Sequence, residues 1–224
     1  MAGITCLAVA NIKREKPMTP WLIFGAGGKG VGLLTALQAL NASQPVIAVV
    51  RKEEAAQYLR EQGATVLVGD ACDENLVARA CQQAGAGATI ISTMGGAQDY
   101  LAHRTVINAA EQAGISRMVL VTSLGCGDSW AYLAPRYKAG FGQAVREKSL
   151  AESWLQTSTL DFAILRPGGL LHGEPTGKAQ RSQADDVHGL VMRADVAAEV
   201  VKLASSPALN HQIYSIVEPN LKPA

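Results

Sequence analysis

Short apolar runs of strand length alternate with longer runs of helical composition along nearly the whole chain. Residues 21–24, 46–50, 65–68, 89–92, 118–122, 162–165 and 213–217 read as strands. Residues 33–40, 53–62, 73–84, 99–113, 141–157 and 194–205 read as helices. Gly63 and Gly114 stand where a helix C′ residue belongs, and Asp73 where an N-cap belongs. The strand runs are continuously apolar rather than alternating, as expected where both faces of a parallel sheet are covered. The order predicts an α/β protein: one Rossmann-type, doubly wound parallel β-sheet with helices on both faces, over residues 21–224. Residues 1–20 read as an N-terminal extension, with Pro17 and Pro20 marking an extended lead-in. Segments 124–140 and 170–192 follow neither period and are expected to be substrate loops, the second of them irregular.

Composition narrows the picture only a little. The chain has 224 residues, 48% apolar and 17% charged, which suits one globular domain with a sizeable core. A net charge of +1 leaves no footprint for nucleic acid or an anionic membrane surface. No apolar run reaches the length of a membrane span. The short apolar stretch from Ile4 to Ala10 is followed, not preceded, by Lys13, Arg14 and Lys16, so no signal peptide is expected. Cys6, Cys72, Cys81 and Cys126 lack C-x-x-C spacing and read as free thiols of a cytoplasmic protein. His103, His172, His188 and His211 are scattered without metal-ligand spacing, and no metal site is expected.

The chemistry gathers where strands end. The first strand runs into Gly25-Ala26-Gly27-Gly28-Lys29-Gly30, and a helical stretch begins at once. A strand turning sharply into a helix aims the helix's free N–H groups at the turn, where phosphate oxygens can be held. Gly25, Gly27 and Gly30 satisfy G-x-G-x-x-G: a tight turn, close approach of a pyrophosphate, and close helix–strand packing, in that order. Arg51 and Lys52 follow the second strand, where a carboxylate would bind a ribose 2′-hydroxyl; two cations there favour NADP(H) over NAD(H). Asp70 follows the third strand and could accept from an adenine amino group, or simply shape a turn. Thr93, Met94 and Gly95 after the fourth strand offer backbone beside the cofactor. Ser123 after the fifth could orient a substrate carbonyl, or cap a turn. Pro167 and Gly168 after the sixth present a compact surface to a flat ring.

These motifs resemble the short-chain dehydrogenase/reductase superfamily. More narrowly, the chain is similar to its atypical NAD(P)H-binding branch, which includes biliverdin-IXβ reductase/flavin reductase-like and NmrA-like proteins. The resemblance spans about residues 21–217. It is carried by Phe24 to Gly30, Gly69-Asp70, Val119 to Ser123, Lys148 with Glu152, Leu165 to Gly168, and Arg193 to Ala197. It implies Ser123 and Lys148 as the active-site Ser and Lys, with Lys148 holding the nicotinamide ribose. The Tyr that ordinary members carry four residues before the Lys is absent: Ala144 stands there. Ala144 cannot transfer a proton, which counts against alcohol oxidation and against a nucleotide-sugar epimerase or dehydratase.

The resemblance therefore points to hydride transfer from NADPH to a conjugated acceptor, a flavin, linear tetrapyrrole or quinone, with the proton drawn from elsewhere. Tyr132, Tyr137 and His172 are the candidate substitutes for the missing acid. A non-catalytic NADP(H) sensor or assembly factor of the NmrA-like type is the rival, favoured by the missing Tyr. Cys126 reads as a small buried cysteine, and Trp130 and Trp154 as packed residues of loop and core. A monomer is preferred over a homodimer.

Overall fold

Every residue of Trp21–Phe24 is buried, and this four-residue strand, β1, is an inner strand of the main sheet. The computed structural model describes residues 18–222; the extension expected over 1–20 lies outside the described residues except for 18–20. The first half alternates strictly: α1 (Val31–Asn41), β2 (Val46–Val50), α2 (Glu53–Glu61), β3 (Thr65–Val68), α3 (Glu74–Ala84), β4 (Thr89–Ser92), α4 (Asp99–Gln112) and β5 (Arg117–Val121). A 3-10 turn at Gly127–Tyr132 leads into α5 (Pro135–Gln156) and β6 (Asp161–Pro167). Then come β7 (Gly169–Leu171), β8 (Gln180–Ser182), β9 (Leu190–Met192), α6 (Arg193–Ser205) and β10 (Gln212–Val217).

The main sheet runs β3-β2-β1-β4-β5-β6-β10-β8. All its pairings are parallel except β8, which lies antiparallel on β10 at the edge. Alternate side chains of β1 feed two cores. Trp21 and Ile23 pack with α1, α2 and α6, and Leu22 and Phe24 with α3 and α4. Burial on both faces is why the inner strands carry no polar alternation.

Three expectations are corrected. Segment 171–192 is not irregular: it holds β8 and β9, and β7 and β9 form a separate parallel pair. Segment 124–140 is not all loop, because α5 starts at Pro135 rather than at 141. Pro135 sits in the first helical turn, where its missing N–H has no intrahelical partner to lose and its φ is already helical. Trp154 is not in the core: it is 38% exposed, with its indole N–H donating to Asn108 Oδ1 at 2.8 Å and its ring edge-on to Tyr100.

Candidate active site

The strand order reverses between β1 and β4, and a cavity of about 570 Å³ opens past the carboxyl ends of β1 to β4. That is where an open parallel sheet binds its ligand. Gly25, Gly27, Gly28, Arg51, Lys52, Asp70, Thr93, Met94 and Gly95 all line it, as their strand-end positions predict. Gly96, the last residue of the same turn, lines it as well, and so do Ala71, Cys72 and the run from Ala97 to Asp99, which the sequence does not point to.

The turn after β1 is built for close approach. Gly25 has φ +96°, in the left-handed region where a side chain is strained. A Cβ on Gly25 would lie 2.5 Å from Thr93 Oγ1, so the β1–α1 and β4–α4 turns touch without a gap. The close packing expected of Gly30 belongs to Gly32 instead. A Cβ on Gly32 would lie 2.5 Å from the Gly25 carbonyl oxygen and collide with Thr93, whereas one on Gly30 meets nothing. Gly30 is the α1 N-cap residue; it offers no side-chain cap, and no acidic residue occupies the first turn. The first N–H groups of α1 are thus left for an anion, with the helix dipole favouring negative charge. Ala26 is buried under the turn, and Lys29 is exposed on it.

At the far side of β1, Arg51 and Lys52 are exposed at the end of β2. Asp70 Oδ1 accepts from the Cys72 N–H at 2.8 Å, so part of the Asp70 carboxylate shapes the turn. Burial, then Asp70, pushes the Cys72 thiol above its ordinary value.

On the other side, Lys148 of α5 reaches the β4 turn. Its Nζ donates to the Met94 carbonyl oxygen at 2.8 Å and to Asp99 Oδ2 at 2.7 Å. A Cβ on Gly95 would lie 3.8 Å from Lys148 Nζ, which places this ion pair directly behind the cavity wall. Asp99 Oδ1 lies 2.8 Å from Nδ1 of the fully buried His103, whose Nε2 is 2.7 Å from Ser92 Oγ. Burial would raise the Asp99 carboxyl, but the His103 hydrogen bond and the Lys148 charge outweigh it and hold it below its ordinary value. Neither partner of Lys148 is near it in sequence: Met94 lies 54 residues away and Asp99 49. The available signal was an Asp at the head of a helix, just after Gly95-Gly96, with a His four residues on.

The remaining expected site residues lie off this cavity. Ser123 follows β5 half-buried, its hydroxyl donating to the Leu124 carbonyl at 3.0 Å. Pro167 ends β6, and Gly168 is closely packed: a Cβ there would strike the Gly189 carbonyl and the Val217 side chain. Cys126 is fully buried, and burial pushes its thiol up to about 12, so it is no nucleophile. Tyr132 and Tyr137 are exposed, as is His172. Ala144 is exposed on α5, with no hydroxyl to replace the missing Tyr. Among the described residues, no group of three His, Cys, Asp or Glu side chains could hold a metal ion. Among them, too, no helix is long and apolar enough to cross a membrane.

Comparison with known proteins agrees with this geometry. Residues 25–207 match the family model described as NAD(P)H-binding. The chain is 68% identical to ChuY, an anaerobilin reductase of Escherichia coli O157:H7, over 92% of this chain and 100% of that one, with a TM-score of 0.90. ChuY of E. coli strain CFT073 is 63% identical over the same shares, with a TM-score of 0.85. Quinone oxidoreductase 2 of E. coli K12 is 29% identical over 87% of this chain and 67% of that protein. With a family match over most of its length and a glycine-lined cleft at the switch point of its sheet, the chain belongs to the NAD(P)H-binding family.

Proposed function

We propose that this chain is an NADPH-dependent reductase of a linear tetrapyrrole. The observation that carries the reading is the cavity over β1 to β4, with a glycine floor, an uncapped helix end and two cations at its rim. In this reading Gly25 to Gly28 and the α1 N–H groups hold the pyrophosphate, and Arg51 with Lys52 pairs with the 2′-phosphate. Lys148 keeps one N–H beyond the two it donates to Met94 and Asp99, and that donor serves the nicotinamide ribose. Bound there, the cofactor supplies a hydride. The acceptor lies under the segments 124–140 and 170–192, with Ser123 orienting it. Its proton comes from solvent, because Ala144 stands at the place of the usual acid. The tetrapyrrole is favoured over a flavin or quinone by the 68% identity to a protein named as an anaerobilin reductase.

The exposed Ala144 also favours a second reading, an NADP(H) sensor without turnover. One experiment separates the two. The protein is mixed anaerobically with NADPH and biliverdin or anaerobilin, and both absorbances are followed. The reductase reading expects one NADPH consumed for each tetrapyrrole reduced. NADPH that binds but stays reduced in the presence of tetrapyrrole, flavin and quinone would overturn it in favour of the sensor.

A further inference from the structure

Behind the wall of the cavity, four side chains from three elements form one connected line: Lys148 of α5, Asp99 and His103 of α4, and Ser92 of β4. Asp99 is 3% exposed, and its neighbour His103 is wholly enclosed. His103 Nδ1 faces Asp99, donating to its backbone carbonyl oxygen at 2.8 Å with Oδ1 equally near. With the proton on Nδ1, Nε2 is the acceptor for the Ser92 hydroxyl. Asp99 Oδ1 has no hydrogen-bond partner of its own, and the imidazole packed beside it leaves Oδ2 directed at Lys148.

A lysine side chain has many rotamers, and left to itself it would not hold one position. Here its ammonium is pinned at two points, by Asp99 and by the Met94 carbonyl. A buried ion pair is a poor device for stability, since apolar residues of like volume commonly do as well. Asp99 itself also lines the nucleotide cavity. We infer that Asp99 is a positioning residue: it holds Lys148 so that the remaining N–H points at the ribose end of a bound NADPH. The inference rests on the NADPH reading above.

A double-mutant cycle on NADPH affinity, measured by calorimetry, tests it. Lys148→Met and Asp99→Asn should each weaken NADPH about tenfold, the scale of a hydrogen bond to a charged group. The double variant should bind no more weakly than Lys148→Met alone, because Asp99 acts only through Lys148. A merely structural Asp99 would weaken binding by the same factor in both backgrounds, and that result would overturn the inference. So would wild-type affinity in Asp99→Asn or in Lys148→Met. If Asp99→Asn does not fold, His103→Gln removes the imidazole that packs 2.8 Å from Oδ1 of the same carboxylate and enters the cycle under the same two outcomes. Failure of the unaltered protein to bind NADPH would overturn the cofactor reading itself, and this inference with it.

Discussion

Arg166 grips Glu152 with both ends of its guanidinium, Nε on Oε1 at 3.0 Å and Nη2 on Oε2 at 2.6 Å. Both residues are buried, and the Thr122 hydroxyl adds a third bond to Oε1 at 2.6 Å. The pair ties α5 to the end of β6 and sits against Gly127, where a Cβ would press on Arg166 Nη2. Burial works against the Arg166 charge, but the hydrogen bonds and charge of Glu152 outweigh it and raise the Arg166 pKa.

Removing one partner leaves an uncompensated buried charge. Glu152→Ala should cost about 3–5 kcal/mol of stability, read as a lower urea midpoint. Glu152→Leu with Arg166→Met should cost much less, because the desolvation of both charges disappears together. Equal midpoints for the single and double variants would contradict this account.

Arg51 and Lys52 are expected to choose the cofactor. Replacing both by Ala should weaken NADPH by about tenfold or more while leaving NADH nearly unchanged, since only NADPH carries a 2′-phosphate for them to pair with. Titration of both nucleotides against wild type and variant decides it, and parallel losses would reassign the pair to general charge.

The two glycines at the start of α1 should behave differently. Gly32→Ala forces a methyl into Thr93 and the Gly25 carbonyl, which is backbone and cannot swing aside. It should cost about 1–3 kcal/mol and abolish nucleotide binding. Gly30→Ala meets no atom within 4 Å, and Gly30 already has an extended conformation, so its fold stability should change by less than about 1 kcal/mol. Thermal melts of the two variants are a direct comparison.

Asp99 gives the acid limb of stability a definite sign. Its native carboxyl titrates below the ordinary 3.8, so on acidification the unfolded chain takes up this proton first. Its contribution is complete above the unfolded value and is lost as pH falls through the lower native one. The stability gap between wild type and Asp99→Asn should therefore shrink from about pH 5 toward about pH 3 in urea titrations. A gap that stays constant over this range would show that the charge is not what stabilises.

Much of this was legible because strands buried on both faces write themselves as unbroken apolar runs. Trp21–Phe24 followed by glycines could be nothing much else, and the lining residues after β1 to β4 follow from position alone. What stayed hidden depends on distance along the chain or on very short elements. Gln180–Ser182 is polar and three residues long, and only its pairing with β10 makes it a strand. Pro135 reads as a breaker unless its place in the first turn is known. The Lys148–Asp99 pair joins residues 49 apart, which meet only because the sheet brings β4 beside β5. Gly32 falls outside the G-x-G-x-x-G spacing, so that pattern singles out Gly30 and not the glycine that packs on Thr93.

Thr93 joins the turn after β1 to the turn after β4. Its hydroxyl is wedged against both Gly25 and Gly32, so the two segments under the cavity are riveted into one piece. A cofactor arriving there meets a finished seat instead of having to assemble one, and little ordering entropy is lost on arrival.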